Sequence, residues 1–177
     1  MSLKINVLRD MQIELVTQPE ALARWRELLA DPELARWPGR IETDRHGRIV
    51  ISPPPALPHS FHQSRILQLL VRLLPAGQAL TECPLLTVDG VKGIDVAWLA
   101  PGRTELESGE LVLRRAPEIC VEIRSPGNST AEMNEKRALY FEAGAREVWI
   151  VDLTGQISFF VPEQAERSLI CPPLNAP

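Results

Sequence analysis

The 177-residue sequence predicts an α/β protein with a mixed central sheet flanked by helices. Three observations carry this expectation. Runs with helical apolar spacing alternate with short strand-like runs, in the order helix, strands, helix, strands, helix, strands. The length suits one domain with a sizeable core. Two of the strand-like runs, "GIDVAWLA" and "PEICVEIR", are apolar enough for a core, although each carries a carboxylate in its middle.

Taken in order, residues 1–16 read as a short strand or an arm. Thr17 to Glu20 has capping-box spacing, and Pro19 suits a first helical turn. Ala21, Leu22, Trp25, Leu28 and Leu29 follow at helical spacing, and "DPELARWPG" closes the region as a turn or half-helix. "RIETDRHGRIVIS" predicts two short strands around a turn at Asp44–Gly47, and "PPPALP" a rigid extended linker. A second helix is expected from about Pro58 to Leu74, with Ile66, Leu69, Leu70 and Leu73 as its apolar stripe. "ALTECPLLTV" and "GIDVAWLA" are strands joined by "VDGVKG". Residues 101–114 form a polar excursion, and residues 117–124 the next strand. Ser129 is a suitable N-cap for a helix ending at Gly144. "REVWIVD" and "QISFFV" form a hairpin across "LTG". The expected organisation is one domain over 1–161, made of a helical region at 1–39 and a core at 40–161. A proline-rich tail at 162–177 is expected to be poorly ordered.

A formal charge of −4 and a pI near 5.5 argue against a protein that coats nucleic acid by bulk charge. They leave room for a local basic cleft, because focused fields depend on placement. Cys83, Cys120 and Cys171 form no CxxC pair and no disulfide framework, so reduced thiols and a cytoplasmic setting are expected. No apolar run resembles a signal peptide or reaches the length of a membrane span. Lys4, Lys92 and Lys136 stand among cations that are otherwise arginine, and only a lysine readily sheds its proton when buried.

Strand alternation puts Ile119, Val121 and Ile123 on one face, and Glu118, Cys120, Glu122 and Arg124 on the other. Likewise Ile94, Val96 and Trp98 oppose Asp95, Ala97 and Leu99. The plain reading is a polar face turned to solvent. The other is that each carboxylate is buried and must find a cation, a metal or water. On the following helix Met133, Lys136, Tyr140 and Ala143 share one stripe, which places Lys136 on a packing face. Such a lysine either snorkels past the sheet edge or points at Asp95 and Glu122. Two carboxylates on neighbouring strands suit a hard divalent ion such as Mg²⁺, which activates water and neutralises a phosphoryl group. A lysine beside them orients that water or stabilises the transition state.

The block from "GIDVAW" through "CVEIRSPGNSTAEMNEKRALYFEAGAREVWIVDL" resembles the Uma-two family, within the PD-(D/E)xK nuclease superfamily of restriction-endonuclease-like fold. The matches are Asp95, Glu122, Ser125–Pro126, Lys136, Tyr140 and the strand from Glu147 to Asp152. Upstream, the hairpin around Glu42 resembles the family's E-x-x-x-G element. "PHSFHQSRILQLL" resembles its H-x-x-x-x-L helix, which points to His62 better than to His59. The likeness runs from about residue 40 to 160. Ile94 departs from the family's proline, Glu132 stands where the family has Asp, and Arg124 holds the superfamily's usual lysine position.

The resemblance implies a metal-dependent endonuclease that hydrolyses phosphodiester bonds in DNA. Asp95 and Glu122 would hold Mg²⁺ or Mn²⁺, Lys136 would position the attacking water, and two copies would form a homodimer. Glu42, His62, Glu132 and Tyr140 are supporting candidates. Arg124 is either a phosphate contact or a salt-bridge partner of Glu118 or Glu132. For His62 a hydrogen-bonded core histidine is the plainer reading. For Cys120 it is a small buried thiol. Two alternatives stay open: a non-catalytic nucleic-acid-binding or interaction module on the same fold, and a structural protein whose carboxylates are closed into a buried ion-pair network.

Overall fold

The computed structural model describes residues 15–162, 164–165 and 167–171. The strand or arm expected over residues 1–16 lies outside them apart from its last two residues, as does the end of the tail from residue 172.

Helix α1 (Gln18–Ala30) starts as its capping box dictates. Thr17 N donates to Glu20 Oε2 at 2.7 Å, and Glu20 N donates back to Thr17 Oγ1 at 3.5 Å. Ala21, Leu22, Trp25 and Leu28 are buried against Leu86, Val91 and Val112, whereas Leu29 faces solvent. Strands β1 (Arg40–Thr43) and β2 (Ile49–Ser52) form the expected hairpin. Its turn is pinned by Asp44 Oδ1, which accepts from the backbone of His46 and Arg48. Helix α2 (Leu57–Leu73) follows the proline run.

Strands β3 (Gln78–Thr87) and β4 (Gly90–Leu99) are joined by a tighter turn than the sequence predicts. Val91, Lys92 and Gly93 belong to β4 because the β1–β2 hairpin docks there. Thr43 Oγ1 accepts from Val91 N, and Lys92 Nζ donates to Thr43 O. Gly90 sits at φ 84°, and a Cβ there would meet Thr43 O at 2.5 Å. Then come β5 (Ile119–Ile123), α3 (Thr130–Glu142), β6 (Glu147–Val151), β7 (Ile157–Phe160) and β8 (Gln164–Ala165).

The main sheet has six strands in the order β3-β4-β5-β6-β7-β8. Every pairing is antiparallel except β5–β6, which is parallel and bridged by α3. Ile66 and Leu70 of α2 cover one face with Val96, Trp98, Ile119, Val121, Ile123 and Trp149. Tyr140 of α3 covers the other with Ala97, Leu99, Cys120 and Val148. This is the predicted mixed sheet between helices. Ile94 departs from strict alternation and packs in the α3-side cluster. The backbone of the facing strand is turned at Glu82, where φ is 52°, and the two strands are not paired there. Each fully buried Leu or Ile contributes about 1.5–3 kcal/mol, so two such apolar layers can carry a few buried acids.

One of those acids is purely structural. Glu147, 2% exposed, accepts from Trp149 Nε1 (2.9 Å), Ser168 Oγ (2.7 Å), Leu169 N (2.6 Å) and Ile170 N (2.8 Å). It ties residues 168–170 to β6. The expectation of a poorly ordered tail therefore does not hold for residues 167–171, where Ser168 and Cys171 are buried. Glu147→Ala removes the acceptor of Trp149 Nε1, Ser168 Oγ and Leu169 N, leaving Ile170 N only its bond to Ser168 Oγ, and is expected to destabilise the fold by about 3 kcal/mol, read as a shift of the urea midpoint.

Candidate active site

The site is built where β4 and β5 part. Their ladder ends at Val96↔Val121, and the next register pair is Asp95 opposite Glu122. Asp95 Oδ2 accepts from Ile123 N at 2.6 Å, so the carboxylate takes the place of a backbone carbonyl in the ladder. The same oxygen lies 3.2 Å from His59 Nε2 in the first turns of α2. Asp95 Oδ1 accepts from Arg40 of β1. Glu122 is held from the other face by α3: Tyr140 OH donates to Oε1 at 2.6 Å and Lys136 Nζ to Oε2 at 3.0 Å. The 3.6 Å separation of Lys136 Nζ from Glu42 Oε1 brings in the hairpin. Glu42 Oε1 also accepts from Gly93 N at 2.9 Å.

Asp95, Glu122, Lys136, Glu42 and Tyr140 are thus brought together from four elements, β4, β5, α3 and β1. Asp95, Glu122, Lys136 and Glu42 line one cleft of about 1000 Å³, walled by Pro53–Pro55 and by the loop from Ser125 to Asn128. Both strand carboxylates are 2% exposed, so the polar-face-to-solvent reading is excluded for them. Lys136 points at Glu122 and does not snorkel away.

Three expected residues take no part in the network around Asp95 and Glu122. His62 lies on a different flank of α2 beside Arg65, Arg72 and Gly155, and His59 takes the site position. Both stripes share Ile66, and the full burial of Leu70 selects 59–63–66–70 over 62–66–69–73. Arg124 makes neither of the salt bridges considered. It donates to Asn128 O at 3.4 Å and Thr130 Oγ1 at 3.3 Å, while Glu118 is engaged by Arg103. Glu132 lines the cleft, but its carboxylate accepts from Asn128 Nδ2 at 2.9 Å and belongs to the start of α3. Sequence reasoning missed Arg40, Glu82 and Gln63. Gln63 Nε2 donates to Glu82 Oε1 and Asp95 O, joining α2 to β3 and β4.

The electrostatics are those of carboxylates short of countercharge. Glu42, Glu82, Asp95 and Glu122 surround Arg40 and Lys136, with His59 at the margin. Burial, opposed by Lys136 and reinforced by Asp95, pushes the Glu122 carboxyl up to about 7. Burial also works to raise Asp95, but His59, Arg40 and the Ile123 N–H together hold it down at about 2. The hydrogen bond to Asp95 raises His59. Burial works against the Lys136 charge, yet Glu122 and Glu42 outweigh it, so the ammonium stays protonated.

A pH dependence follows. Glu122 ionises near 4.5 unfolded and near 7 folded, so the unfolded chain loses its proton first and stability falls as pH rises between those values. Asp95 acts in the opposite sense, contributing stability that is present above about 3.8 and lost as pH falls through about 2. In metal-free protein, urea denaturation at pH 5 and pH 8 is expected to give a drop of the order of 3 kcal/mol in wild type that Glu122→Gln removes.

The donor set fits a hard divalent cation in kind. It is all oxygen, two carboxylates face each other in register, and the negative charge exceeds the resident cations. Among the described residues no group of three or more His, Cys, Asp or Glu side chains forms a ready ligand shell. A two-carboxylate site of the Mg²⁺ type needs none, since water and substrate phosphate complete it. The resident donors also leave capacity. A carboxylate offers about four acceptor positions. Glu122 uses two of its positions.

A protein-family model named Uma2, "Putative restriction endonuclease", matches residues 31–172. No curated protein matches the chain. Among solved structures, the fold resembles a protein from Anabaena variabilis described as "a putative nuclease belonging to DUF820". The TM-score is 0.65 at 22% identity, covering 79% of this chain and 80% of the other. The mixed sheet and its flanking helices are therefore those of the restriction-endonuclease-like fold.

Proposed function

This chain belongs to the Uma2 family of restriction-endonuclease-like proteins, and from that premise we propose that it is a nuclease that hydrolyses phosphodiester bonds in DNA with the help of Mg²⁺ or Mn²⁺. The observation that carries the proposal is the meeting of Asp95, Glu122 and Lys136, from β4, β5 and α3, in one cleft.

Asp95 and Glu122 are the residues that would hold the ion, which when bound supplies an activated water and neutralises phosphoryl charge. The chain's own residues do the positioning. The Ile123 N–H and His59 fix the Asp95 carboxylate, and Tyr140 fixes that of Glu122. Lys136 stays protonated beside Glu122, placed to orient a water and to stabilise charge that develops on the phosphorus oxygens. Burial of the pair excludes bulk water and strengthens each of these interactions. A homodimer that presents two clefts to the two strands, and a cytoplasmic setting in which the three buried thiols stay reduced, complete the proposal. Among the described residues no helix is long and apolar enough to cross a membrane.

Arg40, His59, Lys136 and Tyr140 partner the carboxylates without an ion, which supports a second reading, a non-catalytic binding module on the same fold. A cleavage assay separates the two. Supercoiled DNA should be nicked with Mg²⁺ or Mn²⁺ and left intact with a chelator. DNA bound but uncut under every divalent ion tried supports the module instead.

A further inference from the structure

Resting on that metal-dependent reading, we propose that Arg40 is the resident counter-cation of the site: its guanidinium occupies the oxygen of Asp95 that a divalent ion needs, and the ion enters only as Arg40 releases it. The two oxygens of Asp95 are not equivalent. Oδ2 is filled by two donors, the Ile123 N–H and His59. Oδ1 carries Arg40 alone, so Oδ1 is the coordination point that remains. A guanidinium and a divalent ion on one carboxylate oxygen repel strongly at low dielectric, so the two compete.

Arg40 has somewhere to go. Glu82 Oε2 accepts from its Nε at 2.7 Å, and Gly93 O accepts from its NH1 at 3.0 Å. Glu82 is itself half-exposed and sits on a turned backbone at φ 52°. Released from Asp95, the guanidinium stays on the cleft wall, held by Glu82 and Gly93, with the NH2 donor that faced Asp95 freed. A planar fork of donors in that position suits a phosphate oxygen. Arg40 is thus a positioning residue that trades Asp95 for substrate when the ion arrives. A purely structural Arg40 would make no such trade, and its removal would loosen Asp95 and weaken metal binding.

The test is calorimetric titration of Mn²⁺ into wild type, Arg40→Gln and Arg40→Lys, with thermal melts beside it. Arg40→Gln is expected to bind Mn²⁺ at least about tenfold more tightly than wild type, the scale of one charge-assisted hydrogen bond, with Arg40→Lys between. Saturating Mn²⁺ should raise the melting temperature of Arg40→Gln more than that of wild type. If Arg40→Gln folds only in the presence of Mn²⁺, the proposal is also supported, since Asp95 then depends on whichever cation is present. Equal or weaker binding by either variant, with wild type binding Mn²⁺, overturns it and leaves the metal reading standing. No binding by any of the three overturns both, and makes Arg40 the permanent partner of Asp95.

Discussion

Asp95→Asn is expected to lower divalent-dependent DNA cleavage by about a thousandfold, equivalent to about 4 kcal/mol of transition-state stabilisation, in a protein that still folds. The substitution keeps the shape. The side-chain oxygen can still accept from Ile123 N, which closes the gap in the β4–β5 ladder. What is lost is the charge that a divalent ion and Arg40 both require. Arg40 retains Glu82 and Gly93 O, so the stability cost is about 1–3 kcal/mol. Initial rates on supercoiled plasmid, with circular dichroism on the same samples, measure both. Activity within a few-fold of wild type removes Asp95 from the metal site.

Lys136→Met is expected to separate chemistry from metal binding. Cleavage should fall by about a hundredfold to a thousandfold, as for loss of one preorganised donor in a site of this kind. Mn²⁺ affinity should hold or rise, because a cation 3.0 Å from Glu122 has gone and Tyr140 still orients the carboxylate. The apo protein is expected to melt lower, since Glu122 loses its main counter-charge, and to recover when Mn²⁺ is added. Rates equal to wild type would reduce Lys136 to a structural partner of Glu122.

The fold was legible wherever a period was long enough to read. The capping box at Thr17–Glu20, the helix from Ser129 and the two strands flanking it follow from local chemistry and apolar spacing. Strand alternation and helical spacing alone left a solvent-facing polar face and a snorkelling lysine open; Asp95, Glu122 and Lys136 were legible because they fall in one block of about forty residues that resembles the family motif. Arg40 was not. It lies 55 positions from Asp95, on a hairpin whose docking against β4 no periodicity specifies. Glu82 was hidden by a left-handed backbone conformation inside β3 that its residue type does not announce. His59 and His62 sit on two helical stripes that share Ile66. Only the depth of Leu70 against the sheet decides between them. Glu147 matched the family motif, but its role depends on residues 168–170, which proline content alone had marked as loose.

The whole account depends on Asp95 and Glu122 sharing a divalent ion, and a crystal of the protein soaked in Mn²⁺ tests this most directly through anomalous scattering. The predicted result is one strong peak bound by a carboxylate oxygen from each residue, with Arg40 moved from Asp95 toward Glu82. A cleft without a peak at saturating Mn²⁺, in which Arg40 still holds Asp95 and Lys136 still holds Glu122, would contradict it.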